Sequence, residues 1–111
     1  MLPAEITYIL NRLAQYQKRF FAAKTDPEMV DCAKKMFDEL KRLSKELNRE
    51  AIKMPRNRRS EFRSAVDTVG NLTFPYSWFL RVIRNGNRPF LHPSPFNIPQ
   101  LKEKLELLFW K

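Results

Sequence analysis

"TDPEMVDCAKKMFDELKRLSKELNREAIKM", residues 25–54, decides the fold. Val30, Ala33, Phe37, Leu40, Leu43 (or Ser44) and Leu47 recur at steps of three and four. That is the period of one face of an α-helix. Met29, Met36, Ala51 and Met54 widen the stripe. Thr25 and Glu28 make a Thr-x-x-Glu capping box, whose side chains satisfy backbone N–H groups that a first helical turn leaves unpaired. Asp26 and Glu28 also suit the positive end of the helix dipole. Pro55 disfavours helical geometry at Met54. The reading is one long helix over 26–53. Its other face carries Glu39, Lys41, Arg42, Lys45, Glu46, Arg49 and Glu50, a mixed-charge surface expected to be solvated.

Before this helix, "LPAEITYILNRLAQYQKRFFAAK" places Ile6, Leu10, Leu13, Gln17 and Phe20 on one helical stripe, with Ile9, Tyr16 and Phe21 beside it. Pro3 suits a first turn, where its missing N–H is not needed. A helix over 4–23 is predicted, antiparallel to the long one. After it, "PRNRRSEFRSAVDTVGN" predicts a helix over 57–69, with Phe62, Ala65 (or Val66) and Val69 inward and Gly70 as its stop. "FPYSWFLRVIRNGN" predicts another over 75–85. Pro75 opens it, Trp78, Phe79, Val82 and Ile83 face inward, and Gly86 caps it. A strand over 78–83 competes, and Pro75 with Gly86 decides for helix. "NRPFLHPSPFNIPQ" is a proline-rich loop, since Pro89, Pro93, Pro95 and Pro99 forbid regular helix through it, with Phe90, Leu91 and Phe96 as anchors. Asn97 and Gln100 then resemble a capping box, and Leu101, Leu105 and Leu108 stripe a last helix over 98–109. The expected fold is all-α: a single domain over 1–111, a small bundle of about five helices with a proline-rich loop before the last.

Composition agrees with this class. The chain has 111 residues, 43% apolar and 30% charged, and only two glycines. That suits one globular core and argues against a turn-rich β architecture. No segment reaches the roughly 18 uninterrupted apolar residues of a membrane helix. The first ten residues lack the cationic start and long apolar stretch of a secretory signal. Cys32 is the only cysteine, so no internal disulfide forms, and the expected compartment is the reducing cytoplasm.

Catalytic parts are missing. His92 is the only histidine and lies between two prolines, with no G-x-S-x-G or similar partner pattern. It reads as a loop histidine. Zinc needs three or four suitable ligands, which one His and one Cys do not supply. Cys32 flanks the apolar stripe and reads as a small buried hydrophobe. Two isolated glycines cannot write a phosphate-binding loop. Glu61 and Asp67 stand among arginines and are expected to orient them rather than to titrate in catalysis. The expectation is a protein that is not an enzyme, with no cofactor and no metal.

The charge is the remaining signal. The net charge is +9. Residues 1–52 hold ten Lys/Arg against eight Asp/Glu, residues 53–88 eight against two, and residues 89–111 three against two. The middle third therefore carries +6 of the +9. A field of that sign favours polyanions. Seven of its eight cations are arginine, whose planar fork pairs with phosphate oxygens where lysine offers a point charge. Lys53, Arg56, Arg58, Arg59 and Arg63 cluster in "KMPRNRRSEFR" at a helix junction, where free helix N–H groups add to an anion site. Arg81, Arg84 and Arg88 recur at three and four. Phe62, Tyr76 and Trp78 interleave with these cations. Stacking of unpaired bases on such rings would favour single-stranded DNA or RNA, whereas Phe62 and Trp78 are expected in the core. No recognition-helix or RNA-binding fingerprint is present, so binding would be independent of sequence.

The C-terminal "ELLFWK" offers Phe109 and Trp110. They either close the bundle or form a docking edge for another protein subunit. A competing function is thus an adaptor or inhibitor that docks on an acidic protein through the basic face or these aromatics.

In length, basicity, helical reading and the arginines of "PRNRRSEFR" and "FLRVIRNGNR", the chain resembles the small helical subunits of CRISPR effector complexes. The resemblance implies a role in antiviral defence. Repeated copies of such a subunit would support a guide or displaced strand, beside other protein subunits and away from membranes.

Overall fold

The computed structural model describes residues 2–86 and 94–110. All regular structure among them is helical: α1 (Ala4–Ala22), α2 (Asp26–Lys53), α3 (Arg56–Arg84) and α4 (Ile98–Phe109). The all-α class holds. The count is four rather than about five, because the two helices expected over 57–69 and 75–85 are one 29-residue helix.

Helix α2 begins and ends where its caps dictate. The Thr25 hydroxyl accepts from the Glu28 N–H at 3.4 Å, and the backbone turns extended at Met54. Ala33, Met36, Leu40, Leu43, Leu47 and Ala51 are buried, and Val30 and Phe37 are partly so. Helix α1 buries Ile6, Ile9, Leu10, Leu13 and Phe20, and α4 buries Ile98, Leu101 and Leu105. In α4 the Asn97 side chain accepts from the Gln100 N–H at 3.0 Å, one backbone donor satisfied by a cap.

The fusion of α3 has a physical basis. Phe62, Val69 and Tyr76 are buried at steps of seven, so one helical phase runs unbroken through Gly70 and Pro75. Gly70 is not a stop. Pro75 sits inside the helix, where it removes one backbone hydrogen bond and crowds the preceding turn. The cost is contained because Asn71, Phe74 and Pro75 all lie on the exposed side, where water can serve the freed Asn71 carbonyl. The Thr73 hydroxyl also donates to the Gly70 carbonyl at 2.6 Å. The helix ends as expected at Gly86, which takes φ +80 and donates to the Ile83 carbonyl at 3.0 Å. Trp78 is not inward. It is 45% exposed, while Phe79 beside it is buried.

The four helices pack as a ring, α1 on α2, α2 on α3, α3 on α4 and α4 on α1. Arg12 of α1 meets Glu39 of α2, and Tyr16 meets Lys35. The number on one helix rises by four as the other falls by four, so α1 and α2 are antiparallel. The diagonal pair α1 and α3 is bridged by rings: Phe20 makes edge contacts with Tyr76 at 5.7 Å and with Phe79 at 5.4 Å. Such pairs add about 0.5–1.5 kcal/mol beyond burial. Phe62 meets Phe109 edge-on at 5.1 Å and ties α3 to α4.

Glu39 departs from its expected solvated face. It is buried, and its carboxylate lies 3.0 Å from Arg12 and 3.4 Å from Arg42. The Arg12 guanidinium in turn stacks on the Tyr8 ring at 4.2 Å. A buried carboxylate is tolerable only with such partners. No helix among the described residues is long and apolar enough to cross a membrane. Of the proline-rich stretch, residues 94–97 lead without regular structure into α4. Phe90, Leu91 and His92 lie outside the described residues.

Candidate nucleic-acid interface

The sequence places eight cations in the middle third, and the structure divides them by what their side chains already hold. Arg59 is committed to the α2–α3 junction. Its Nε donates to the Met54 carbonyl at 2.9 Å and its Nη2 to the Ile52 carbonyl at 3.5 Å. These are carbonyls at the negative end of α2, which a guanidinium stabilises. Arg58 turns inward. Its Nη2 donates to the Leu108 carbonyl near the end of α4, its guanidinium carbon stands 5.6 Å from the Phe62 ring centre, and Glu61 lies 3.8 Å away. Both arginines are thus struts of the fold. Lys53 is exposed and near Glu50 at 3.7 Å.

Arg56, Arg63, Arg81 and Arg84 are exposed on α3. Arg56 opens the helix after Pro55, and its first turn contains no acid. The continuity of α3 settles how these arginines relate. Arg56, Arg63, Phe74 and Arg81 are separated by seven, eleven and seven residues. At about 100° per residue they fall within about 20° of one line along the helix. Arg84 lies to one side of it. Arg56 and Arg63 of the first group therefore share one face with Arg81 of the second, with Arg63 and Arg81 about 27 Å apart along the axis. Arg88 lies outside the described residues.

The rings sort differently from the expectation. Phe62 is in the core as expected, and Tyr76 is also buried, so neither can stack on a base. The burial of Tyr76 pushes its phenol up to about 12, and its hydroxyl has no hydrogen-bond partner among the described residues. Trp78 instead stands outside, and Phe74, which the sequence reading passed over, is 68% exposed on the same side of α3. A signal for Phe74 existed. Once the phase of Phe62, Val69 and Tyr76 is carried through Pro75, position 74 falls opposite the buried line.

At the C-terminal end, Phe109 is half-buried against Phe62, whereas Trp110 is 70% exposed and Leu107 is exposed beside it. Cys32 is buried as expected, and its thiol is pushed up by burial and by Asp31. Among the described residues, no three His, Cys, Asp or Glu side chains stand together as a metal site. No protein-family model matches this chain, and comparison with curated proteins and with solved structures finds no match.

Proposed function

We propose that this protein is a non-enzymatic, sequence-independent nucleic-acid-binding subunit of a larger assembly, of the ribonucleoprotein kind that its resemblance to CRISPR effector subunits implies. The observation that carries the proposal is the exposed line of Arg56, Arg63 and Arg81 on one continuous helix, with Arg84 at its side. Asp67 is the acid on that face. Guanidinium forks so arrayed suit phosphate oxygens along a strand. Lys53, Arg58 and Arg59 supplement the field at longer range. The setting is cytoplasmic, with other subunits or further copies of the chain alongside.

The test is a fluorescence-polarisation titration with mixed-sequence DNA and RNA. Four phosphate contacts at about 0.7 log units each predict a roughly 50-fold loss of affinity between about 50 and 200 mM salt. Changing Arg56, Arg63 and Arg81 to Gln should weaken binding to every sequence and leave Tm unchanged. Affinity that ignores salt sinks the reading.

The exposed Leu107 and Trp110 favour a second reading, an adaptor docking on an acidic protein. Removing Phe109 to Lys111 then abolishes partner binding while polarisation with nucleic acid stays flat. If nucleic-acid binding persists in the truncated chain, the first reading prevails.

A further inference from the structure

Helix α3 carries two rings that the core does not use. Phe74 is 68% and Trp78 45% exposed, and among the described residues neither ring makes an aromatic-pair or cation–π contact. Four residues apart, they are neighbours on the helix surface, about 6 Å along its axis. Arg63 lies eleven residues before Phe74, and Arg81 three after Trp78. Single exposed apolar residues are ordinary. An adjacent pair of large rings bracketed by exposed arginines on one helix face is a more specific arrangement.

Its charge says what kind of molecule complements it. Net positive charge stands at both ends of the ring pair, Arg81 and Arg84 beyond it and Arg56 and Arg63 against the single acid of that face, Asp67, before it, so the occupant carries negative charge on both sides of something flat and apolar. A nucleic-acid strand has that composition, with phosphates along the backbone and a π-face on every base. In a duplex those faces are occupied by stacking on one another. In a single strand they are free to lie on protein rings. Stacking of this kind tolerates any base, which agrees with the absence of a base-reading motif.

We propose that Phe74 and Trp78 form a base-stacking platform, so that the site selects single-stranded nucleic acid over duplex. Arg63 and Arg81 hold the backbone on either side. The proposal rests on the reading that the basic face of α3 binds nucleic acid, and adds to it the strand that is bound and the residues that choose it.

The experiment uses the full chain with Trp110→Phe, which leaves Trp78 as the sole one of the two tryptophans. Probes of about 20 nucleotides, long enough for one site, are a mixed-sequence single-stranded DNA, the same sequence as RNA, its DNA duplex and an abasic strand with the same phosphates. Base-bearing single strands should quench Trp78 fluorescence, and the abasic strand should not. Phe74→Ala and Trp78→Ala should each weaken single-strand binding by about five- to a hundred-fold, the range of one stacked base. Abasic and duplex affinities and the salt slope should stay as they were. Trp78→Phe should restore most of the loss. Both positions are exposed, so circular dichroism should report the same helicity in every variant.

Equal affinity for base-bearing and abasic strands, unchanged in Trp78→Ala, overturns the platform and leaves the phosphate reading standing. Failure of all probes to bind at about 50 mM salt, where phosphate contacts are strongest, overturns both.

Discussion

Gln17 and Phe96 hold one another by two hydrogen bonds. The Gln17 side-chain N–H donates to the Phe96 carbonyl at 3.0 Å, and the Phe96 N–H donates to the Gln17 side-chain oxygen at 3.2 Å. A single amide thus satisfies both backbone groups of a residue 79 positions away. It anchors the segment that leads into α4 to the C-terminal half of α1. The same side chain sits on the stripe predicted for α1, as its one polar member.

Gln17→Leu keeps the volume and removes both partners. Two part-buried backbone groups are then left unpaired, at about 1–3 kcal/mol for a buried group and less where water reaches it. The expected signature is local. Hydrogen exchange should speed up over Phe96 and the first turns of α4 by more than over α2. A uniform change across the chain would show that the clasp has no special hold on α4.

The Arg12–Glu39 pair should behave as a buried ion pair. Arg12→Leu strands the Glu39 carboxylate with only the exposed Arg42 beside it, and should lower stability by about 3 kcal/mol. Pairing Arg12→Leu with Glu39→Met should recover most of that loss, since an apolar pair needs no compensation. Urea midpoints of the two single variants and the double variant form the cycle that measures this coupling. Additive losses would mean the pair is not coupled.

Tyr76 sets an alkaline limit. Its folded pKa of about 12 lies above the ordinary phenol value of 10.0. The unfolded chain therefore ionises first, and this contribution is fully present below about pH 10 and is lost as pH rises through 12. Tyr76→Phe should remove that limb and, by deleting an unpartnered buried hydroxyl, leave neutral-pH stability unchanged or higher. Thermal melts from pH 7 to about 11.5 would decide, as the limb lies between the two phenol values. A large loss at pH 7 would reveal a partner for the hydroxyl.

Helix α3 should tolerate, and gain from, a more ordinary interior. A Cβ built on Gly70 meets nothing within 4 Å, so Gly70→Ala should stabilise by about 0.5–1 kcal/mol. Pro75→Ala restores a hydrogen bond to the Asn71 carbonyl and frees the unfolded chain, opposing effects with an expected net gain of about 1–2 kcal/mol. Melting temperatures read both. A loss at Pro75 would mean that its fixed φ helps to seat Tyr76 and Phe79.

Three of the helices were legible because pattern and punctuation agree in them. Thr25 and Glu28, Pro55, and Asn97 with Gln100 mark ends where the apolar period also starts or stops. In α3 they conflict. Gly70 and Pro75 read as a stop and a start, and four residues outside either predicted helix lie between them. Burial of Phe62, Val69 and Tyr76 in one phase outweighs that local preference. The split also hid the shared line of Arg56, Arg63 and Arg81, because two separate helices have no common face to compare. Glu39 was misread for a related reason. It lies three residues from Met36 and four from Leu43, on the edge of the buried stripe, but its charge suggested solvent. Its partner Arg12 is on another helix, and local spacing does not reveal such a pairing.

The unbroken course of α3 also constrains how this protein can change. Inserting or deleting one residue between Arg63 and Tyr76 would rotate everything beyond it by about 100°. Arg81 would leave the line of Arg56 and Arg63, and in the same step Tyr76 and Phe79 would swing away from Phe20. An altered spacing of the charges therefore arrives together with a broken core. Descendants of this chain can exchange residues along the exposed face of α3 one at a time, but its length is held constant by the packing beneath.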